Sequence, residues 1–176
     1  STPPLENKAR KGINLRPSSQ SCYELFSMGT TSIQLKHGKV RVHSEGPQGG
    51  PVVCWVHGAS YPLDVFSLLV PSFIEQGYRC IRFDLYGRGE STWDYTKVTT
   101  ELLAEQTLDV LAHFEINTKV HLVSLSNSDL VLNCVARMRP DLIETITWIA
   151  PSGTDRRTMN TFFRGANLIP GMDSVL

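Results

Sequence analysis

Charge of one sign is what this sequence most lacks. Its 176 residues carry 17 Lys+Arg against 17 Asp+Glu, so the formal net charge is zero. No basic field exists to neutralise phosphates, which makes nucleic acid and anionic membrane surfaces poor partners. Long apolar runs are also missing. Nothing reaches the roughly 18 residues that span a bilayer, and the opening "STPPLENKARKG" has no apolar stretch of the signal-peptide kind. Cysteine is sparse: Cys22, Cys54, Cys80 and Cys134 include no C-x-x-C pair, and the last three sit inside apolar segments. That usage predicts buried thiols in a reducing compartment rather than a disulfide framework, hence a cytoplasmic location. The histidines, His37, His43, His57, His113 and His121, show no metal-ligand spacing, and none follows residue 126. Gly87-x-Gly89 is followed by Thr92 where a dinucleotide fingerprint needs its third glycine. There is no internal repeat and no low-complexity tract.

A hydrophobic fraction of 41% with 19% charged residues is a globular composition, and the length suits one domain with a sizeable core. Residues 1–27, with Pro3, Pro4, Pro17 and "RPSSQS", have the composition of an irregular leader. "TTSIQLKHGKVRVHSEG" alternates around His37-Gly38 and predicts a hairpin. "PVVCWVHG", "YRCIRFDL", "KVHLVSLS" and "IETITWI" read as strands; the first is a near-continuous apolar run, as in a strand covered on both faces. Between them, "DVFSLLVPSFIEQG" is expected as a helix kinked at Pro71 and stopped at Gly77. "TTELLAEQTLDVLAHFE" and "NSDLVLNCVARMRP" read as amphipathic helices. Strands alternating with helices predict an α/β fold, a mostly parallel sheet with helices on both faces and an antiparallel hairpin at its N-terminal side.

"KVHLVSLSNSDLVLNCVARM" runs a buried strand directly into a helix through Ser124-Leu125-Ser126-Asn127-Ser128. Such a turn, usually written G-x-S-x-G, presents its central serine at a helix N-terminus, where free N–H groups favour an anion; an ordinary helix cap is the simpler alternative. Three further stretches accompany it in order: "VVCWVHGAS", "GYRCIRFDLYGRGES" and "DLIETITWIAPSG". With these four motifs the chain resembles the α/β-hydrolase superfamily from about residue 30 to 176, and within it the monoacylglycerol lipase and small carboxylesterase branches most. It departs from the superfamily pattern at Ser124 and Ser128, which stand at the two glycine positions, and at Asp129.

The resemblance implies a cofactor-free, metal-free serine hydrolase acting on a small-molecule ester or acyl substrate. Ser126 would be the nucleophile, and the backbone N–H groups of Ala59 and Asn127 would hold the oxyanion. His57, Gly58 and Asp84 would shape the site, with His57 as general base the alternative; the Gly87/Gly89/Ser91 loop would form a wall. Gly58 is expected to supply the backbone freedom that aims Ala59.

In this superfamily the acid and the histidine follow the serine, yet only Asp141, Asp155 and Asp173 follow Ser126 as aspartates, and no histidine does. Asp155 is a candidate acid, a turn residue its alternative. The expectation is therefore an incomplete core over residues 28–155, the start of a cap over residues 156–176, and a longer parent chain, processed before Ser1, that supplies the missing groups. The rival reading is a non-catalytic binding or scaffold relative. An amidase, peptidase or thioesterase on the same fold is a third. Oligomeric state is left open by the sequence.

Overall fold

The alternation around His37-Gly38 forms the predicted hairpin: β1 (Thr31–Leu35) and β2 (Gly38–Glu45) pair antiparallel, with Leu35 opposite Gly38. The computed structural model describes residues 31–94 and 97–152. The leader 1–27, the cap start 156–176, Asp155 and Asp173 lie outside the described residues. Four more strands follow: β3 (Val52–Val56), β4 (Arg79–Phe83), β5 (Val120–Leu125) and β6 (Ile143–Ile149). They form one six-stranded sheet in the order β1-β2-β4-β3-β5-β6. β2 meets β4 antiparallel, and the β4-β3, β3-β5 and β5-β6 pairings are parallel.

Successive strand residues point to opposite faces, so a strand covered on both sides has no polar face to show. Val52, Cys54 and Val56 of β3 join the core on one face, where α2 (Thr100–His113) and α3 (Ser128–Met138) contribute Ala104, Val110, Leu111, Val131, Leu132 and Val135. Val53 and Trp55 join a second core on the other face, with Phe66, Val70 and Ile74. All five β3 residues are buried. Trp55 packs against Phe66 and Phe73 at ring-centroid distances of 5.1 and 5.0 Å. Cys54, Cys80 and Cys134 are buried free thiols, as the apolar contexts predict, and burial pushes Cys54 up to about 12 and Cys80 to about 11.

One helix differs from expectation. The stretch from 64 to 77 is a 3-10 turn (Leu63–Phe66) followed by α1 (Val70–Glu75). Pro71 lies in the first turn of α1 and begins the helix instead of kinking it; its missing N–H falls where no intrahelical acceptor is due. Gly77 stops α1 as expected, with φ +87° and its N–H donated to the Ile74 carbonyl. Thr99 caps α2 by accepting from Leu102 N–H at 3.2 Å. Among the described residues, no helix is long and apolar enough to cross a membrane.

Candidate active site

β5 ends at Leu125 and α3 begins at Ser128, leaving two residues for the turn. Ser126 takes φ +57°, a left-handed conformation costly for a residue with a Cβ. Its N–H donates to the Ile149 carbonyl of β6 at 2.9 Å, and it remains half-exposed at the C-terminal end of the sheet. Ser128 explains how a serine serves at a glycine position. Its hydroxyl accepts from Leu125 N–H at 3.0 Å and lies 2.8 Å from the carbonyl oxygens of Val56 and Leu125, tying the turn to the end of β3. Ser124 points into the core, where its hydroxyl has no partner among the described residues.

The loop after β3 is pressed onto this turn. A Cβ on Gly58 would come within 3.0 Å of the Leu125 carbonyl oxygen and 3.1 Å of Ser126 Cβ. Gly58 does not adopt a positive φ, so close approach, and not backbone freedom, is what asks for glycine here. Ala59 N–H donates to Asn127 Oδ1 at 2.8 Å, and the Ala59 carbonyl accepts from Arg88 Nε at 2.7 Å.

His57 is fully buried, and both ring nitrogens are used. Leu85 N–H donates to Nε2 at 2.9 Å, so the proton resides on Nδ1 and is given to the Gly58 carbonyl at 2.6 Å. Burial lowers its pKa from the ordinary 6.5, opposed by the Gly58 carbonyl and by Asp84, whose Oδ1 lies 3.9 Å from Nε2. A ring held this way has no lone pair left to take a proton from Ser126.

Asp84, at the end of β4, is also fully buried. Its Oδ1 accepts from Leu63 N–H at 2.7 Å and its Oδ2 from Glu90 N–H at 2.9 Å, with Arg41 Nη1 at 3.7 Å from Oδ2. Its carbonyl oxygen accepts from Ser91 Oγ and from Gln106 Nε2. Gly89 takes φ +52°, and a Cβ there would overlap the Asp84 carboxylate. One acid thus fastens the loop after β4 to the segment after Ala59.

Beside the turn lies a cavity of about 330 Å³ whose walls include Ala59, Tyr86, Arg88, Glu101, Asn127 and Val131. Ser126, Asn127, Gly58 and Ala59 therefore meet at one end of the sheet, with His57 and Asp84 beneath them. Sequence reasoning missed the side chains of Arg88, Gln106 and Asn127. Arg88 stood only as the middle letter of Gly87-x-Gly89, and nothing local marked the other two.

No family model matches the chain, and no curated protein does. Solved structures do match. A hydrolase from Pseudomonas aeruginosa PA01 superposes with a TM-score of 0.70 at 16% identity, over 85% of this chain and 57% of that one. The chain has the α/β-hydrolase fold. A carboxylesterase from the thaumarchaeon Nitrososphaera gargenis gives a TM-score of 0.68 at 16% identity, covering 78% of this chain and 52% of that one. The thioesterase domain from the curacin biosynthetic pathway gives 0.65 at 19% identity, covering 79% and 52%. The chain spans about half the length of those structures.

Proposed function

We propose that this chain carries the nucleophile side of a serine hydrolase that acts on carboxylic esters, as part of a longer protein. The observation that carries the reading is the backbone of Ser126: a non-glycine residue at φ +57° in a two-residue turn between β5 and α3. A strained serine between strand and helix is the arrangement that, in a nucleophile elbow, presents the hydroxyl at the end of the sheet for attack on a carbonyl. In the reaction the Ser126 oxygen bonds to the carbonyl carbon, its proton passes to a general base, and the carbonyl oxygen becomes an oxyanion held by the N–H groups of Ala59 and Asn127. The base and the acid that orients it are assigned to chain beyond Leu176, because no histidine follows Ser126 and His57 is fully engaged. Acyl and alcohol pockets are left open: the matched structures include a thioesterase domain, a carboxylesterase and an epoxide hydrolase, and the fold is common to all.

A fluorophosphonate probe applied to the full-length protein tests the reading. Labelling is expected at Ser126 and absent from Ser126→Ala; a full-length protein that takes up no probe at Ser126 counts against the enzyme. The 176-residue chain alone is expected to turn over no ester, since a serine without its base is a poor nucleophile. The second reading, a non-catalytic binding module, draws support from the engagement of Ala59 N–H by Asn127.

A further inference from the structure

The Ala59 N–H is the donor that would meet a substrate's oxyanion, yet it is already spoken for by Asn127 Oδ1 at 2.8 Å. An N–H can only meet an acceptor, so the contact fixes the amide orientation, with the carbonyl oxygen of the side chain toward Ala59. We propose that the Asn127 carboxamide is an internal stand-in for substrate, a gate that occupies the oxyanion position and turns out when a reacting acyl group arrives. The proposal rests on the hydrolase reading of Ser126.

Four observations support a gate over an incidental contact. Asparagine at a helix N-cap ordinarily bends back to accept a bond from its own first turn, but the Asn127 side chain makes no capping bond. It reaches instead to a residue 68 positions away in sequence. The peptide that carries the Ala59 N–H is held at its other end, where the Gly58 carbonyl accepts from the buried His57 Nδ1 at 2.6 Å, so the asparagine is the freer partner to move. Asn127 and Ala59 also share the wall of the cavity of about 330 Å³, which offers the rotated carboxamide a place to go. The Asn127 backbone N–H, meanwhile, has no acceptor among the described residues and stands ready as the second donor.

Such a gate discriminates by charge. A neutral carbonyl gains little by replacing another neutral carbonyl at Ala59 N–H, whereas hydrogen bonds to an ionised acceptor are about twice as strong. An oxyanion therefore displaces the asparagine where a ground-state ester or a water does not.

The test compares full-length wild-type protein with Asn127→Ala and Asn127→Asp, measuring the rate of fluorophosphonate labelling at Ser126 and the hydrogen exchange of the Ala59 amide. Asn127→Ala is expected to label roughly twofold to tenfold faster, the rate equivalent of one neutral hydrogen bond. Its Ala59 amide should exchange faster than in wild type. Asn127→Asp, isosteric but anionic, is expected to label more slowly than wild type and to keep the amide protected. Labelling of Asn127→Ala no faster than wild type, or unchanged Ala59 exchange, overturns the gate. A wild-type protein that does not label at all overturns the hydrolase reading first, and the gate with it. Should Asn127→Ala fail to fold, Asn127→Asp decides alone: labelling at or above the wild-type rate ends the proposal.

Discussion

At the scale of single residues, His57 and Asp84 show how buried polar groups hold a loop in place. Each satisfies backbone donors around it: the buried Leu85 N–H by the imidazole, the buried Leu63 N–H and the loop N–H of Glu90 by the carboxylate. The ring is held neutral, since burial lowers its pKa. That makes a statement about stability against pH. With the folded-state value below the unfolded one, the unfolded chain binds more protons as acidity rises, so the contribution is complete above the unfolded value and is lost as pH falls through it toward the lowered one. His43 is lowered too, by burial and by Arg82, and adds in the same sense. Urea midpoints measured from about pH 8 to about pH 5 are expected to fall with acidity, and to fall less in His57→Gln, which keeps an acceptor for Leu85 but no titrating ring. Equal slopes for the two proteins would show that His57 titrates as freely folded as unfolded.

At the scale of elements, the β3-β5 ladder stops at Ser124, and beyond it the Ser128 hydroxyl ties the turn before α3 to the end of β3. Removing it in Ser128→Ala leaves the Leu125 N–H and the Val56 carbonyl short of a partner, a loss of about 1–3 kcal/mol for an unsatisfied buried group. The expected result is a lower urea midpoint together with slower probe labelling, because the turn that aims Ser126 loosens. Full stability in Ser128→Ala would show the tie to be idle. Most of these elements were legible in sequence because their signals are local. The apolar run of Val52–Val56 says that both faces are covered, and Thr99 and Gly77 say where helices begin and stop. Pro71 misled because a proline in an apolar helical stretch reads equally well as a kink or as a first turn, and packing of the preceding 3-10 turn makes the choice. The turn at Ser126 was legible from the order of four motifs along the chain, since the strand-serine-helix stretch alone fits an ordinary helix cap as well. The reach of Asn127 to the Ala59 N–H and the grip of Arg88 on the Ala59 carbonyl were not, since both join segments that meet only once the sheet is assembled.

At the scale of the whole molecule, the sheet is unevenly finished. Both edge strands, β1 and β6, pair on one side only among the described residues, but β6 leaves Ile143, Ile146 and Ile149 part-exposed and Trp148 49% exposed. A strand edge of that kind is a template for further pairing. The 176-residue chain by itself is expected to self-associate with rising concentration, seen by light scattering after size exclusion, and Trp148→Lys is expected to shift it toward monomer. A chain that stays monomeric across the range, or a lysine that changes nothing, would show that the edge is protected. The sheet order also sets a schedule during synthesis. β3 lies between β4 and β5 in space, but β5 begins at Val120, long after Val56 has been made. At translation speeds of about 5–20 residues per second, that flank of β3 waits roughly 3–13 seconds for its neighbour. For that interval a nascent ribbon of valine, cysteine and tryptophan is bare along one border, which makes it the natural stretch for a ribosome-associated chaperone to shield.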